Sequence, residues 1–142
     1  MSCVLGFDYG TRRIGIAAGN RISASAQPLQ ALPARGGEPD WQRVDALCAE
    51  WKPDALVVGL PLTLDGGEQA VTRGARAFAE ALQRHSGLPV HMVDERHTSQ
   101  EAARRFAAQR AAGAARRRHA ENIDSLAAAV ILESWLAQKR PD

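Results

Sequence analysis

Asp8, Glu95 and Asp124 are three acids in settings that suit divalent-metal chemistry. Asp8 closes the apolar run CVLGFD, Glu95 closes LPVHMVDE, and Asp124 opens the apolar-periodic stretch NIDSLAAAVILESWL. Strand ends and helix starts can bring distant carboxylates to one edge of a sheet. Two carboxylates about 4 Å apart repel by about 4 kcal/mol at an effective dielectric of about 20. A bound cation relieves that cost, as does protonation of one acid. Carboxylate oxygens suit Mg²⁺ or Mn²⁺. Two such ions about 3.5–4 Å apart would stabilise the attacking and leaving oxygens of a phosphodiester. In that scheme Asp8 bridges, Glu95 and Asp124 flank, and no side-chain nucleophile is required. Each acid also has an ordinary reading. Asp8 can serve the turn at Gly10, Glu95 can pair with Arg96 or Arg12, and Asp124 can be an acid favoured near a helix start.

The residues around these acids extend the same theme. Between Glu101 and Glu121 lie Arg104, Arg105, Arg110, Arg116, Arg117, Arg118 and His119, with no acid among them. Such a segment attracts phosphate, or it is a solvated helix face followed by a basic loop. Gly59-Leu60-Pro61 is either a strand-ending turn or a place where a substrate backbone comes close. Thr98 reads as a helix cap first and a phosphate contact second. Tyr9 is a candidate for stacking on a base. His91 and His97 read as surface or packing residues, and Trp41, Trp51 and Trp135 as core.

These residues need a scaffold, and the chain supplies one. Cys3 to Asp8 reads as a buried strand, Tyr9 to Arg12 as a turn with Gly10 free to take positive φ, and Ile14 to Ala18 as the second arm of a hairpin. Ile22 to Leu29 is a weaker third strand, and Pro33 to Pro39 a loop. Asp40 caps a helix through Val44, Leu47, Cys48 and Trp51 that Pro53 stops. Ala55 to Leu60 is a short apolar strand of the doubly buried kind. Asp65 and Glu68 form a capping box for a helix ending at Gly87. Val90 to Val93 is a further strand, and Thr98 with Glu101 a second capping box. Gly113 to Ala120 reads as a break with few packing contacts. Ile123, Leu126, Ala127, Val130, Ile131 and Trp135 then form one apolar stripe. The order β-β-β-α-β-α-β-α-α implies an α/β fold. Its five-stranded mixed sheet is an antiparallel meander plus parallel strands, with helices on both faces. Asp8, Leu60 and Asp94-Glu95 would then share the carboxyl edge, where open α/β sheets bind ligands.

The totals fit one domain spanning 1–142. The apolar share is 45%, yet no run reaches the roughly 20 residues of a membrane span. With no charged-then-apolar leader, a cytoplasmic protein is expected. The net charge of +2 says little. Cys3 and Cys48 form no spaced cluster, so two reduced, buried thiols are expected rather than a zinc site.

Taken together, GFDYGTRRIGIA, VVGLPL with the following DG, VDERHTS and NIDSLAAAVIL resemble the RuvX (YqgF) family of Holliday-junction resolvases, also described as pre-16S rRNA nucleases. The resemblance runs from Cys3 to about Leu136. It implies an RNase H-like fold and cytoplasmic, divalent-metal-dependent action on structured nucleic acid. It also implies Asp8, Glu95 and Asp124 as metal and catalytic residues. Arg12, Gly59, Asp94, Arg96 and Thr98 match further motif positions, and Arg116-Arg117-Arg118 matches the family's basic stretch. Arg12, Arg96, Thr98 and that stretch are the candidate nucleic-acid contacts. Asp94, Glu121 or no residue supplies a fourth acid; with three ligands, a second ion would bind only once substrate phosphate completes its site. The leading expectation is a nuclease that matures the 5′ end of pre-16S rRNA, alone or with the small ribosomal subunit, as a monomer or weak homodimer. The alternatives are a Holliday-junction resolvase and a non-catalytic ribosome-assembly factor that binds nucleic acid.

Overall fold

A computed structural model describes residues 3–61, 67, 69–94 and 118–138, with side chains from Ser125 onward in the last segment. Strand β1 (Cys3–Asp8) is the hub. Its apolar residues Val4, Leu5 and Phe7 are fully buried, so it lies between two layers. Strand β2 (Arg13–Asn20) pairs with it antiparallel, with Phe7 opposite Ile16 and Asp8 opposite Gly15. The turn between them needs Gly10, although not for positive φ as expected. A Cβ there would sit 2.5 Å from the Arg13 carbonyl oxygen.

The third strand differs from its expected span. Strand β3 covers Ser25–Arg35, not 22–29, and Ile22 stands exposed in the turn before it. The expected 33–39 loop is a tight hairpin instead. Gly36 and Gly37, at φ +56° and +84°, reverse the chain into the two-residue strand β4 (Glu38–Pro39). This adds a sixth strand to the five expected. The other edge is built from parallel strands, β5 (Ala55–Leu60) beside β1 and β6 (Val90–Asp94) beside β5. The sheet order is β4-β3-β2-β1-β5-β6.

Helix α1 (Trp41–Trp51) starts as expected: Asp40 accepts a hydrogen bond from the Gln42 amide at 3.0 Å. It ends at Lys52, whose φ of +48° turns the chain ahead of Pro53. Helix α2 (Ala70–Ser86) starts later than expected. Gln69 is its N-cap, in a reciprocal capping box with Thr72. Gly87 closes it at φ +74°, as the Gly-then-Pro pattern requires. Helix α3 (Arg118–Ala137) begins well before the stripe that announced it, taking in the last residues of the expected break.

Strand alternation sorts the core into two layers. Leu5, Phe7, Leu56 and Val58 meet Val44 of α1 and Phe78 and Leu82 of α2. Val4, Ala17, Ala55, Val57 and Val93 meet Ala128, Ile131, Leu132 and Trp135 of α3. Leu126 and Val130 are buried too, so α3 is enclosed on more than its sheet-facing side. Among the described residues no helix is long and apolar enough to cross a membrane.

Candidate active site

The carboxyl ends of β1, β5 and β6 lie side by side, as their parallel pairing demands. Phe7 pairs with Val58, Gly59 with Val93, and Leu60 with Asp94. Asp8, Leu60 and Asp94 therefore share one edge, which is where the sequence pattern put them. Asp8 is half-buried there. It has the parity of Val4 and Gly6, so alternation assigns it to the α3 face. Asp94 has the parity of Val90 and Met92, which pack with the α1–α2 layer. Its register places it on the sheet face opposite to Asp8, which argues against it as a fourth ligand.

Helix α3 is locked to this edge by one buried polar contact. The register between β2 and β3 slips between Ile14 and Ile16. The Ile16 amide donates instead to Ser125 Oγ, 3.2 Å away, and Ser125 is fully buried. Ile16 is the partner of Phe7, one residue from Asp8. Further along the helix, a Cβ on Gly6 would come within 3.0 Å of Leu132 Cβ and 3.3 Å of the Ala128 carbonyl oxygen. The missing side chain lets α3 lie directly on β1. The helix thus descends from the Asp8 edge toward the far end of the sheet, where Trp135 contacts the His91 ring and the Arg21 guanidinium. Asp124 precedes Ser125 and is the seventh residue of α3, in its second turn. It does not stand in the first turn as expected, so the helix-start explanation for an acid there falls away. About 10 Å of helix lies between Arg118 and Ser125, at about 1.5 Å per residue.

A second anchor holds the loop after β5. Thr72, fully buried, donates through Oγ1 to the Pro61 carbonyl oxygen and accepts from the Gln69 amide at 3.0 Å. The Gly59-Leu60-Pro61 strand end is thereby fixed to the start of α2. Tyr9, the candidate stacking residue, is half-buried with its ring on Phe78, centroids 5.5 Å apart. It serves the core. His91 packs on Trp135, as a packing histidine should, and Trp135 is core. Trp41 and Trp51 are partly buried against the α1–α2 layer. The two thiols are free and only partly buried. Burial and then Asp54 push the Cys3 thiol up; burial and then Asp45 do the same for Cys48.

Arg12 is exposed on the β1–β2 turn at the Asp8 edge. Glu95, Arg96, His97, Thr98, Arg116, Arg117 and the capping pairs at 65–68 and 98–101 lie outside the described residues, as do the side chains of Arg118, Glu121, Ile123 and Asp124. Among the described residues, no group of three or more His, Cys, Asp or Glu is placed to hold a metal. Ser125 and Gly6 were missed from sequence. A serine beside an apolar stripe carries no mark of burial, and a strand glycine does not say which element will approach it.

A central strand ending in a half-buried aspartate, flanked by a hairpin and two parallel strands, defines an RNase H-like fold of the resolvase type. Solved structures agree. RuvC of T. thermophilus, in complex with a Holliday junction substrate, is 19% identical over 99% of both chains with a TM-score of 0.57. The fowlpox virus Holliday junction resolvase is 14% identical over 94% of this chain and 96% of its own, with a TM-score of 0.55. The chain belongs to the RuvX family, described as "Holliday junction resolvase", whose model matches residues 2–138. Relatives from Xanthomonas oryzae and Xylella fastidiosa are 51% and 52% identical over 134 residues, 94% of this chain and 86% of theirs. Both carry the name "Putative pre-16S rRNA nuclease".

Proposed function

We propose that this chain, as one domain, is a metal-dependent endonuclease that matures the 5′ end of precursor 16S ribosomal RNA in the cytoplasm. The observation that carries the reading is the Ser125–Ile16 contact. It holds the residue after Asp124 against the strand partner of Phe7, which supports a reading in which Asp124 and Asp8 act together. In sequence Glu95 directly follows Asp94, which ends β6 at that edge.

The donor set fits a hard cation in kind. Asp8 offers carboxylate oxygen at a half-buried strand end, and Glu95 and Asp124 would complete the set. Mg²⁺ or Mn²⁺ held there would supply Lewis acidity toward a phosphodiester. The chain's own residues do the rest. Gly59 is buried within β5, and the part-exposed Leu60 and Pro61 that follow it form the strand end nearest a substrate. Thr72 keeps that end from shifting. Arg12, Arg96, Thr98 and Arg116 to Arg118 neutralise and orient phosphates. The close relatives' name favours RNA over branched DNA. Symmetric paired cuts at a junction would require a dimer, whereas end maturation works with a monomer.

The test is cleavage of matched pre-16S RNA and four-way-junction DNA with Mn²⁺, Mg²⁺ or EDTA, beside Asp8→Asn. Metal contacts to the transferring phosphate contribute several kcal/mol, and about 1.4 kcal/mol is tenfold in rate. The variant should therefore lose roughly a hundredfold or more on RNA. Cutting at full rate by Asp8→Asn would sink the mechanism. Junction cutting in preference to RNA would move the substrate to DNA.

A further inference from the structure

Tyr9 follows Asp8 and points to the opposite face of the sheet, where it forms a junction of three elements. Its hydroxyl lies so close to Gly37 that a Cβ there would be 2.0 Å away. A Cβ on Gly74 would be 2.9 Å from the same ring. Two glycines on two elements are thus required by one side chain. The β1–β2 turn is tied to the same hairpin by backbone. The Gly37 amide donates to the Thr11 carbonyl at 3.1 Å, and Ala34 to that of Arg12 at 2.8 Å.

An arginine flanks each of these contact points. Arg12 follows Thr11, Arg35 lies two residues before Gly37, and Arg73 precedes Gly74. All three are exposed. Glu38 is opposite Arg35 in the hairpin, and its carboxylate accepts from Trp41 Nε1 at 3.3 Å. Three backbone segments held around one ring therefore each carry an exposed arginine, next to the proposed site.

We propose that Arg12, Arg35 and Arg73 form a second phosphate-binding flank, which grips a nucleic-acid arm on the α2 side of the edge. Asp8, by contrast, faces the α3 side of the same edge. The substrate class that fits is a structured nucleic acid with two arms diverging at the scissile phosphate. The proposal rests on the nuclease reading for its position, but its binding test does not.

The experiment measures binding of a synthetic RNA with two duplex arms to the full chain in EDTA, across a salt series. Each phosphate neutralised contributes roughly 0.7 to 0.9 to the slope of log affinity against log salt. Arg35→Gln with Arg73→Gln should reduce the slope by about 1.5, with weaker binding at every salt. Arg35→Lys with Arg73→Lys should keep the slope, which excludes misfolding at these exposed positions as the cause. Arg84→Gln, about 16 Å along α2 from Arg73, should leave it alone. An unchanged slope in the double Gln variant, or an equal fall in Arg84→Gln, overturns the proposal. Metal-dependent cutting is scored separately, so a wild-type chain that binds without cutting would remove the nuclease reading and leave this measurement standing.

Discussion

At the scale of single residues, Ser125 does the work that a conspicuous catalytic side chain is usually given credit for. The Ile16 amide faces a slipped register and has Ser125 Oγ as its partner in a fully buried setting. Removing the hydroxyl leaves a buried donor without that acceptor, which costs about 1–3 kcal/mol. Ser125→Ala should lower the urea midpoint accordingly, with Ser125→Thr recovering part of the loss. A Ser125→Ala protein as stable as wild type would mean that water replaces the contact. The position of Asp124 relative to Asp8 would then rest on the remaining α3 packing alone. Thr72 illustrates the same economy at the other strand end, where one buried hydroxyl serves both the capping box and the Pro61 carbonyl.

At the scale of elements, the approach of α3 to β1 decides whether the edge acids can meet, and two glycines set it. Adding a methyl at Gly6 confronts Leu132 Cβ and the Ala128 carbonyl, both rigidly tied to the helix backbone. At Gly19 the nearer obstacle, 2.7 Å away, is Leu132 Cδ2, the far end of a side chain that can rotate. Gly6→Ala should therefore cost more than Gly19→Ala despite the longer distance, within the roughly 1–3 kcal/mol typical of overpacking. Paired denaturation curves check this, and the reverse order would show that α3 slides without penalty. The same contrast explains what could be read in the sequence. Apolar runs gave β1, β5 and β6, and Asp40, Pro53 and Gly87 gave helix ends, because each is a local signal. The 33–39 segment did not reveal its hairpin, since a loop and a glycine-turned hairpin share Gly36-Gly37 and differ only in what they pair with. The start of α2 moved to Gln69 because Thr72 answers to Pro61, a contact that sequence spacing does not contain. For the site, the shared edge of Asp8, Leu60 and Asp94 was legible from parallel topology. The opposite facing of Asp94 needed the register, and the anchoring of α3 needed the fold.

At the scale of the whole molecule, the proposed metal site makes a prediction about stability. Under that proposal Asp8, Glu95 and Asp124 repel one another in the metal-free fold, and a cation bound only by the folded chain offsets the repulsion. Such binding stabilises by about 2.7 kcal/mol when the free ion is at a hundred times its Kd. A chain of this size gains roughly 2–4 °C in Tm per kcal/mol, so saturating Mn²⁺ should raise Tm by about 5–10 °C over EDTA. Asp8→Asn should behave in the opposite sense. It removes one repelling charge, so its Tm in EDTA should equal or exceed that of wild type, and Mn²⁺ should raise it little. Thermal scans of both proteins in both conditions separate this from a purely structural role for Asp8, which would lower Tm in EDTA. An equal metal-induced rise in the two proteins would place the ion elsewhere, and no rise in either would remove the metal from the apo edge and leave it to arrive with substrate phosphate.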